Sequence, residues 1–172
     1  MKLKDVLETV QLLEKAEINV WLDGGWGVDA LLGEQTRIHD DVDIVIQEKD
    51  IPKLRKLLEA KSYHDIERND TSAWNFVLGD DKGHLIDVHA FTFDSEGNGI
   101  YGPVERGLTY PAACLTGSGK IDGFTVKCIT AEQIVKFHTG YVPDENDIKD
   151  ISALCERFRI FLPSEYKKKI SS

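Results

Sequence analysis

The sequence predicts an α/β fold, a sheet flanked by helices, and three features of its 172 residues point there. Apolar residues recur at helical spacing toward both ends, β-branched runs between them alternate with a period of two, and turns rich in glycine or aspartate separate the runs. At the front, Leu3, Val6, Leu7, Val10 and Leu13 mark a helix to about Lys15. "INVWL" then reads as a short strand running into Gly24, Gly25 and Gly27. "WGVDALLG" supports about two helical turns, with Gly33 as the C-terminal cap.

"DVDIVIQ" is a strand in which Val42, Ile44 and Ile46 point one way and Asp41, Asp43 and Val45 the other. Asp50 is placed to cap a helix over residues 51–61, with Pro52 in its first turn. "TSAWNFVLGDDKGHLIDVHAF" is a hairpin around "GDDKG"; in its second strand Leu85, Asp87 and His89 share one face. Residues 93–109, rich in acids and glycines and without a period, read as a loop. "GSGKIDGFTVKCI" is a second hairpin turning at Asp122-Gly123. Thr130 with Gln133 fits a capping box that opens a helix to about Thr139, and a last long helix covers residues 145–158. The three lysines of the tail, Lys167, Lys168 and Lys169, read as solvated.

A chain this long buries about 70% of its unfolded surface and needs no staples. We expect one compact unit, a catalytic core over residues 1–130 with a C-terminal helical segment, 131–172, packed on it. Lys plus Arg is 21 against 30 for Asp plus Glu, a net charge of −9. Such acidity argues against a nucleic-acid partner, which would need a basic face. It would suit a cationic small substrate, and solubility explains it equally well. Cys114, Cys128 and Cys155 are odd in number and lack zinc-like spacing, so they read as reduced, packed thiols of a cytoplasmic protein. No apolar run approaches the ~20 residues of a membrane span, and the acids of the N-terminal segment are unlike a secretory signal.

Asp41 and Asp43, two apart on one strand, put their carboxylates on the same side about 6.8 Å apart along the chain. Two such carboxylates repel unless a cation lies between them, and Mg²⁺ takes one or two carboxylates together with substrate phosphates. Asp87 brings a third carboxylate. If its strand neighbours that of Asp43, the three converge on one face, as a two-metal in-line phosphoryl or nucleotidyl transfer requires. Asp87 would then be a metal ligand, the general base for an attacking hydroxyl, or both. A lone D-x-D also fits a solvent-facing strand edge. Gly24 and Gly25 end a strand and open a helix, which leaves backbone N–H groups to hold an anion. Arg37 and His39 are placed to offset phosphate charge, though a histidine in a turn is often only structural. "GWGVDA" also fits a dinucleotide fingerprint with Glu48 following, but its helix is short for a βαβ crossover and that reading leaves the aspartates unexplained.

Together, "LDGGWGVDALLG" and "TRIHDDVDI" resemble the antibiotic nucleotidyltransferases of the DNA-polymerase-β-like superfamily, whose pattern is Gly-Gly, a spacer, then Asp-hydrophobic-Asp-hydrophobic. The spacer here, Trp26 to Asp40, is longer than usual. The likeness runs from Trp21 to Leu154 and is greatest to the small lincosamide nucleotidyltransferases, with aminoglycoside 2″-nucleotidyltransferases more distant. It implies a nucleotidyltransferase fold, a small mixed β-sheet flanked by helices with C-terminal helices completing a cleft. It also implies transfer of AMP from ATP, with Mg²⁺ (two ions) and pyrophosphate release, to a hydroxyl of a lincosamide such as lincomycin or clindamycin, inactivating the drug. An aminoglycoside or a protein as acceptor stays open.

Carried over residue by residue, Asp41 and Asp43 match the metal-binding pair, Asp87 the third carboxylate and Gly24-Gly25 the phosphate turn. Arg37 falls in the matching "R-x-H" segment. Lys136 and Lys149, on the C-terminal helices, would reach the triphosphate as similar lysines do in the superfamily, or are plain surface charges. Trp74, Tyr101 and Tyr141 are candidates for the acceptor wall, with core packing as the alternative. Related small enzymes often pair, so a homodimer is expected.

Overall fold

The computed structural model describes residues 1–170, apart from the side chains of residues 106, 168 and 170. The first helix, α1 (Leu3–Lys15), buries Val6, Leu7, Val10 and Leu13, the stripe its spacing predicts. Strand β1 (Val20–Asp23) passes without a loop into helix α2 (Gly24–Leu32), which ends on Gly33 in the left-handed conformation. Then come β2 (Asp41–Gln47), α3 (Ile51–Glu59), β3 (His64–Ile66), β4 (Asn75–Gly79) and β5 (Leu85–Phe93). The sheet runs β1-β2-β5-β4-β3. Its β2–β5 pair is parallel and the other neighbours are antiparallel, so the sheet is mixed. A parallel pair cannot be closed by a tight turn, and α3, β3 and β4 make up the crossover between these two strands.

Residues 93–109, expected to be a loop, are partly paired. Strand β6 (Gly99–Tyr101) pairs with the far end of β5, and β7 (Thr109–Tyr110) pairs with β6. Runs of two or three residues are too short to show a period of two. Strands β8 (Ser118–Ile121) and β9 (Phe124–Lys127) form the second hairpin, with φ of 49° at Asp122 and 80° at Gly123 as a type I′ turn demands. Helices α4 (Ala131–Phe137), α5 (Glu145–Phe158) and α6 (Ser164–Ile170) complete the chain. Two expected caps are corrected. The side chains of Asp50 and Thr130 stand at N-cap positions but make no capping hydrogen bond. A tight turn over Glu48–Asp50 begins winding before α3 and removes the need at that end. The capping box belongs to α5, between Asp144 and Asp147.

The core lies on both faces of the sheet. Val42, Ile44, Ile46, Ile86 and Val88 join α1 and α3 in one buried cluster. Trp21, Val45 and Phe91 point the other way, into a second cluster with Ile134, Ile151 and Leu154 of α4 and α5. Tyr166 of α6 is fully buried there and donates its hydroxyl to the His138 carbonyl at 2.7 Å. The three cysteines are buried and free; burial pushes the thiols of Cys114 and Cys128 up to about 12 and raises that of Cys155. No described helix is long and apolar enough to cross a membrane.

Asp80 locks the β4–β5 turn. Its Oδ1 accepts the backbone N–H groups of Lys82 and His84, and its Oδ2 lies 2.9 Å from His84 Nδ1. Burial alone would raise this carboxyl, but these donors outweigh it and hold the group below its ordinary 3.8. A folded-state value below the unfolded one makes the contribution complete above that ordinary value and lost as pH falls through the folded value. Asp80→Ala should therefore lower stability by about 2 kcal/mol at neutral pH. The deficit should shrink in acid, which urea titrations at pH 7 and pH 3 would read.

Candidate active site

The pairing of the sheet sets an aspartate on each of three adjacent strands at one level. Asp23 of β1 lies opposite Asp43 of β2, and Asp43 lies opposite Asp87 of β5. Neighbouring strands are about 4.8 Å apart, so three carboxylates stand side by side on the face turned toward the C-terminal helices. At the next level on the same face, Val45 lies opposite His89. Its Nε2 is 3.9 Å from Asp43 Oδ1 and 3.7 Å from Asp87 Oδ1. Asp41 begins β2 on the same face, opposite Leu85. Arg68, from the segment between β3 and β4, donates to Asp87 Oδ2 at 3.0 Å.

Crowded acids in a half-buried setting hold their protons more tightly. Burial first, then the charge of Asp43, raises Asp41, with Arg68 easing the shift. Asp87 is raised by burial and by Asp43 and Asp41, against the pull of His89 and Arg68. Asp23 is raised mainly by burial, although its Oδ1 accepts the Gly24 N–H at 2.9 Å. Burial would push His89 down, but the nearby carboxylates of Asp43, Asp87 and Asp23 outweigh that and raise it. A divalent cation would relieve this repulsion. The geometry fits one: Asp43, Asp87 and His89 offer ligand atoms within 4.8 Å of one another.

The glycine turn abuts this cluster. Gly24 has a φ of 52°, and a Cβ there would come 2.6 Å from Asp43 Cγ. A Cβ at Gly25 would come 2.7 Å from Arg37 Nη2 and would collide with the His39 ring. Arg37 is held beside the turn by Asp150 of α5, which accepts from Nη2 at 2.8 Å and from Nε at 3.1 Å. His39 is buried under Trp26, with its Nε2 2.5 Å from Asp29 Oδ2, while Asp29 Oδ1 accepts from the backbone and hydroxyl of Thr36. This pair ties α2 to the start of β2. His39→Ala should lower stability by about 3 kcal/mol, since it leaves a cavity and strands one buried carboxylate oxygen. Urea denaturation would measure it.

A cleft of about 590 Å³ opens over the cluster, with Asp23, Gly24, Asp43 and His89 at its floor. Tyr101, Leu108, Tyr110 and Phe137 give it apolar walls; Gln133 and Lys136 line the α4 side. Of the residues singled out from sequence, the structure brings together Gly24, Asp43, Tyr101 and Lys136 in the lining. Asp41 and Asp87 adjoin it through Asp43, and Gly25 and Arg37 through Gly24. Trp74 lies elsewhere, against Gly102, and packs partly on the first core cluster. Tyr141 and Lys149 are exposed and outside the lining.

Sequence reasoning passed over Asp23, Arg68, Tyr110 and Phe137, and it gave His89 a face but no role. Asp23 carried a usable signal, since it ends a strand one residue before Gly-Gly. Arg68 and the aromatics enter only through tertiary placement.

A family model described as aminoglycoside-2″-adenylyltransferase matches residues 5–154. The lincosamide resistance protein of Staphylococcus haemolyticus is 30% identical over 151 residues, which cover 88% of this chain and 92% of that protein. A 2″-aminoglycoside nucleotidyltransferase of Escherichia coli is 25% identical over 91% of this chain and 84% of its own length. The crystal structure of the lincosamide antibiotic adenylyltransferase LnuA, lincomycin-bound, superposes with a TM-score of 0.77 at 28% identity, covering 92% of this chain and 97% of that one. ANT(2″)-Ia in complex with adenylyl-2″-tobramycin shares the fold, with a TM-score of 0.69 at 19% identity and 98% of both chains covered. A glycine turn, clustered aspartates and the expected nucleotidyltransferase fold thus coincide in one chain, and that chain belongs to the aminoglycoside-2″-adenylyltransferase family of antibiotic nucleotidyltransferases.

Proposed function

We propose that the protein transfers AMP from ATP to a hydroxyl of a lincosamide, releasing pyrophosphate and inactivating the drug. The observation that carries this reading is the level of three aspartates set against a glycine turn at the floor of a cleft. Asp41, Asp43 and Asp87 would hold divalent metal, Mg²⁺ in the cell. Bound there, the metal supplies charge neutralisation for the triphosphate and acidifies the attacking hydroxyl.

The remaining steps belong to the chain. The N-terminus of α2 at Gly24-Gly25 faces the phosphates with backbone N–H groups, Gly25's among them. Arg37, fixed by Asp150, adds positive charge beside that turn. Asp87 takes the proton of the acceptor hydroxyl, acting as general base. The acceptor oxygen forms a bond to the α-phosphorus, and the bond from that phosphorus to the bridging oxygen of pyrophosphate breaks. Lys136 at the α4 rim, and Lys149 if the side chain swings in, would draw the leaving pyrophosphate. Tyr101, Tyr110, Leu108 and Phe137 would seat the apolar part of the acceptor, which favours a lincosamide over a polycationic aminoglycoside.

Mass spectrometry of lincomycin and kanamycin after incubation with the protein, ATP and Mg²⁺ tests the reading, with Asp41→Asn as control. An AMP adduct on lincomycin that is missing in the control supports it. An adduct on kanamycin alone keeps the chemistry and changes the acceptor. A homodimer remains part of the proposal, and light scattering that gives a monomer at working concentration would remove it.

A further inference from the structure

His89 is oriented by a chain of hydrogen bonds that begins 19 residues earlier. The Asn75 amide nitrogen donates to the carbonyl of Asp70 at 3.2 Å and to its Oδ2 at 3.1 Å, which fixes the amide and leaves Oδ1 facing the other way. That oxygen accepts the hydroxyl hydrogen of Tyr101 at 2.9 Å. Tyr101 has one hydroxyl hydrogen, so toward His89 Nδ1, 3.1 Å away, its oxygen is the acceptor and Nδ1 carries the proton. In the neutral ring this leaves the lone pair on Nε2, the atom that faces Asp43 and Asp87. A hydrogen-bonded far nitrogen that fixes the tautomer is the usual setting of a metal-binding histidine.

We propose that His89 is a direct ligand of the divalent cation, completing with Asp43 and Asp87 a mixed nitrogen–oxygen site that favours Mn²⁺ over Mg²⁺. The proposal rests on the nucleotidyl-transfer reading for the presence of a metal and departs from it in the ligand set. Mn²⁺ accepts an imidazole among oxygen ligands more readily than Mg²⁺, which keeps to oxygen and water. Tyr101 thereby becomes a positioning residue as well as part of the cleft wall.

The test is pulsed electron paramagnetic resonance of Mn²⁺ bound to the full chain, with inorganic triphosphate in place of nucleotide so that the protein supplies all the nitrogen. Wild type should show ¹⁴N modulation from a coordinated imidazole, and His89→Ala should lose it. Mn²⁺ affinity, read from the free-ion signal, should fall about 10–100-fold in His89→Ala and by less in Tyr101→Phe. The preference for Mn²⁺ over Mg²⁺ should narrow in His89→Ala. Absence of nitrogen modulation in wild type overturns the proposal, whatever the variants do, and so does modulation that survives in His89→Ala. AMP transfer with no nitrogen coupling would leave the proposed function standing and sink the His89 ligand. Coupling without transfer to any acceptor would do the reverse.

Discussion

Asp43→Asn is expected to lower kcat/KM for nucleotide transfer by about 10²–10³-fold while leaving the melting temperature unchanged or slightly raised. Asp43 is the central carboxylate of its level, with Asp23 on one side and Asp87 on the other. It also lies against the glycine turn and within 3.9 Å of His89. Asparagine keeps the shape but removes the charge that would hold metal, and metal stabilisation of a phosphoryl transition state is worth several kcal/mol, each ~1.4 kcal/mol being tenfold. Stability should not suffer, because like charges at this spacing oppose folding. Steady-state kinetics with lincomycin and a calorimetric scan would check both halves. A variant that keeps more than about a tenth of wild-type turnover removes Asp43 from the metal site.

Gly24→Ala should damage stability and activity together. At a φ of 52° an L-residue is strained by about 1–2 kcal/mol, and the added Cβ would meet the Asp43 carboxylate. The β2 backbone cannot yield easily, since it is paired on both edges, so the Asp43 side chain must turn away. We expect a loss of about 3 kcal/mol and a displaced carboxylate. Gly83→Ala is the matched comparison: its φ is 82°, and nothing lies within 4 Å of the added carbon. If the two variants lose equal stability and Gly24→Ala still turns over, the glycine serves backbone conformation alone. If Gly24→Ala loses more and its Mn²⁺ affinity drops, the turn and the aspartates are one steric unit.

The central part of this site was legible because strand alternation is a strong signal. Asp41, Asp43, Asp87 and His89 each fall on the face their period assigns. What the period does not contain is which strands meet. The parallel pairing of β2 with β5 sets Asp43 opposite Asp87 across a crossover, and no local run of residues encodes that register. The same holds for Asp23 of β1, whose partner Asp43 lies on the antiparallel strand β2, reached around α2. Trp74 and Tyr101 were both candidates for the acceptor wall. Only the pairing of β6 with β5 carries Tyr101 over the site and leaves Trp74 beside Gly102. Helix ends were read less well: neither Asp50 nor Thr130 turns its side chain inward, and ahead of α3 the turn over Glu48–Asp50 already supplies the winding.

The three sealed cysteines have a practical consequence. Thiolate is the reactive form, and Cys114, Cys128 and Cys155 are both covered and held far from ionisation. Maleimide at neutral pH should leave the native chain unlabelled, so the molecule is already a blank for site-directed chemistry. Thr109→Cys, on the exposed edge of the cleft, would then be the single attachment point for a fluorophore. Any change at the cleft on adding ATP could be watched in real time without first replacing the native cysteines.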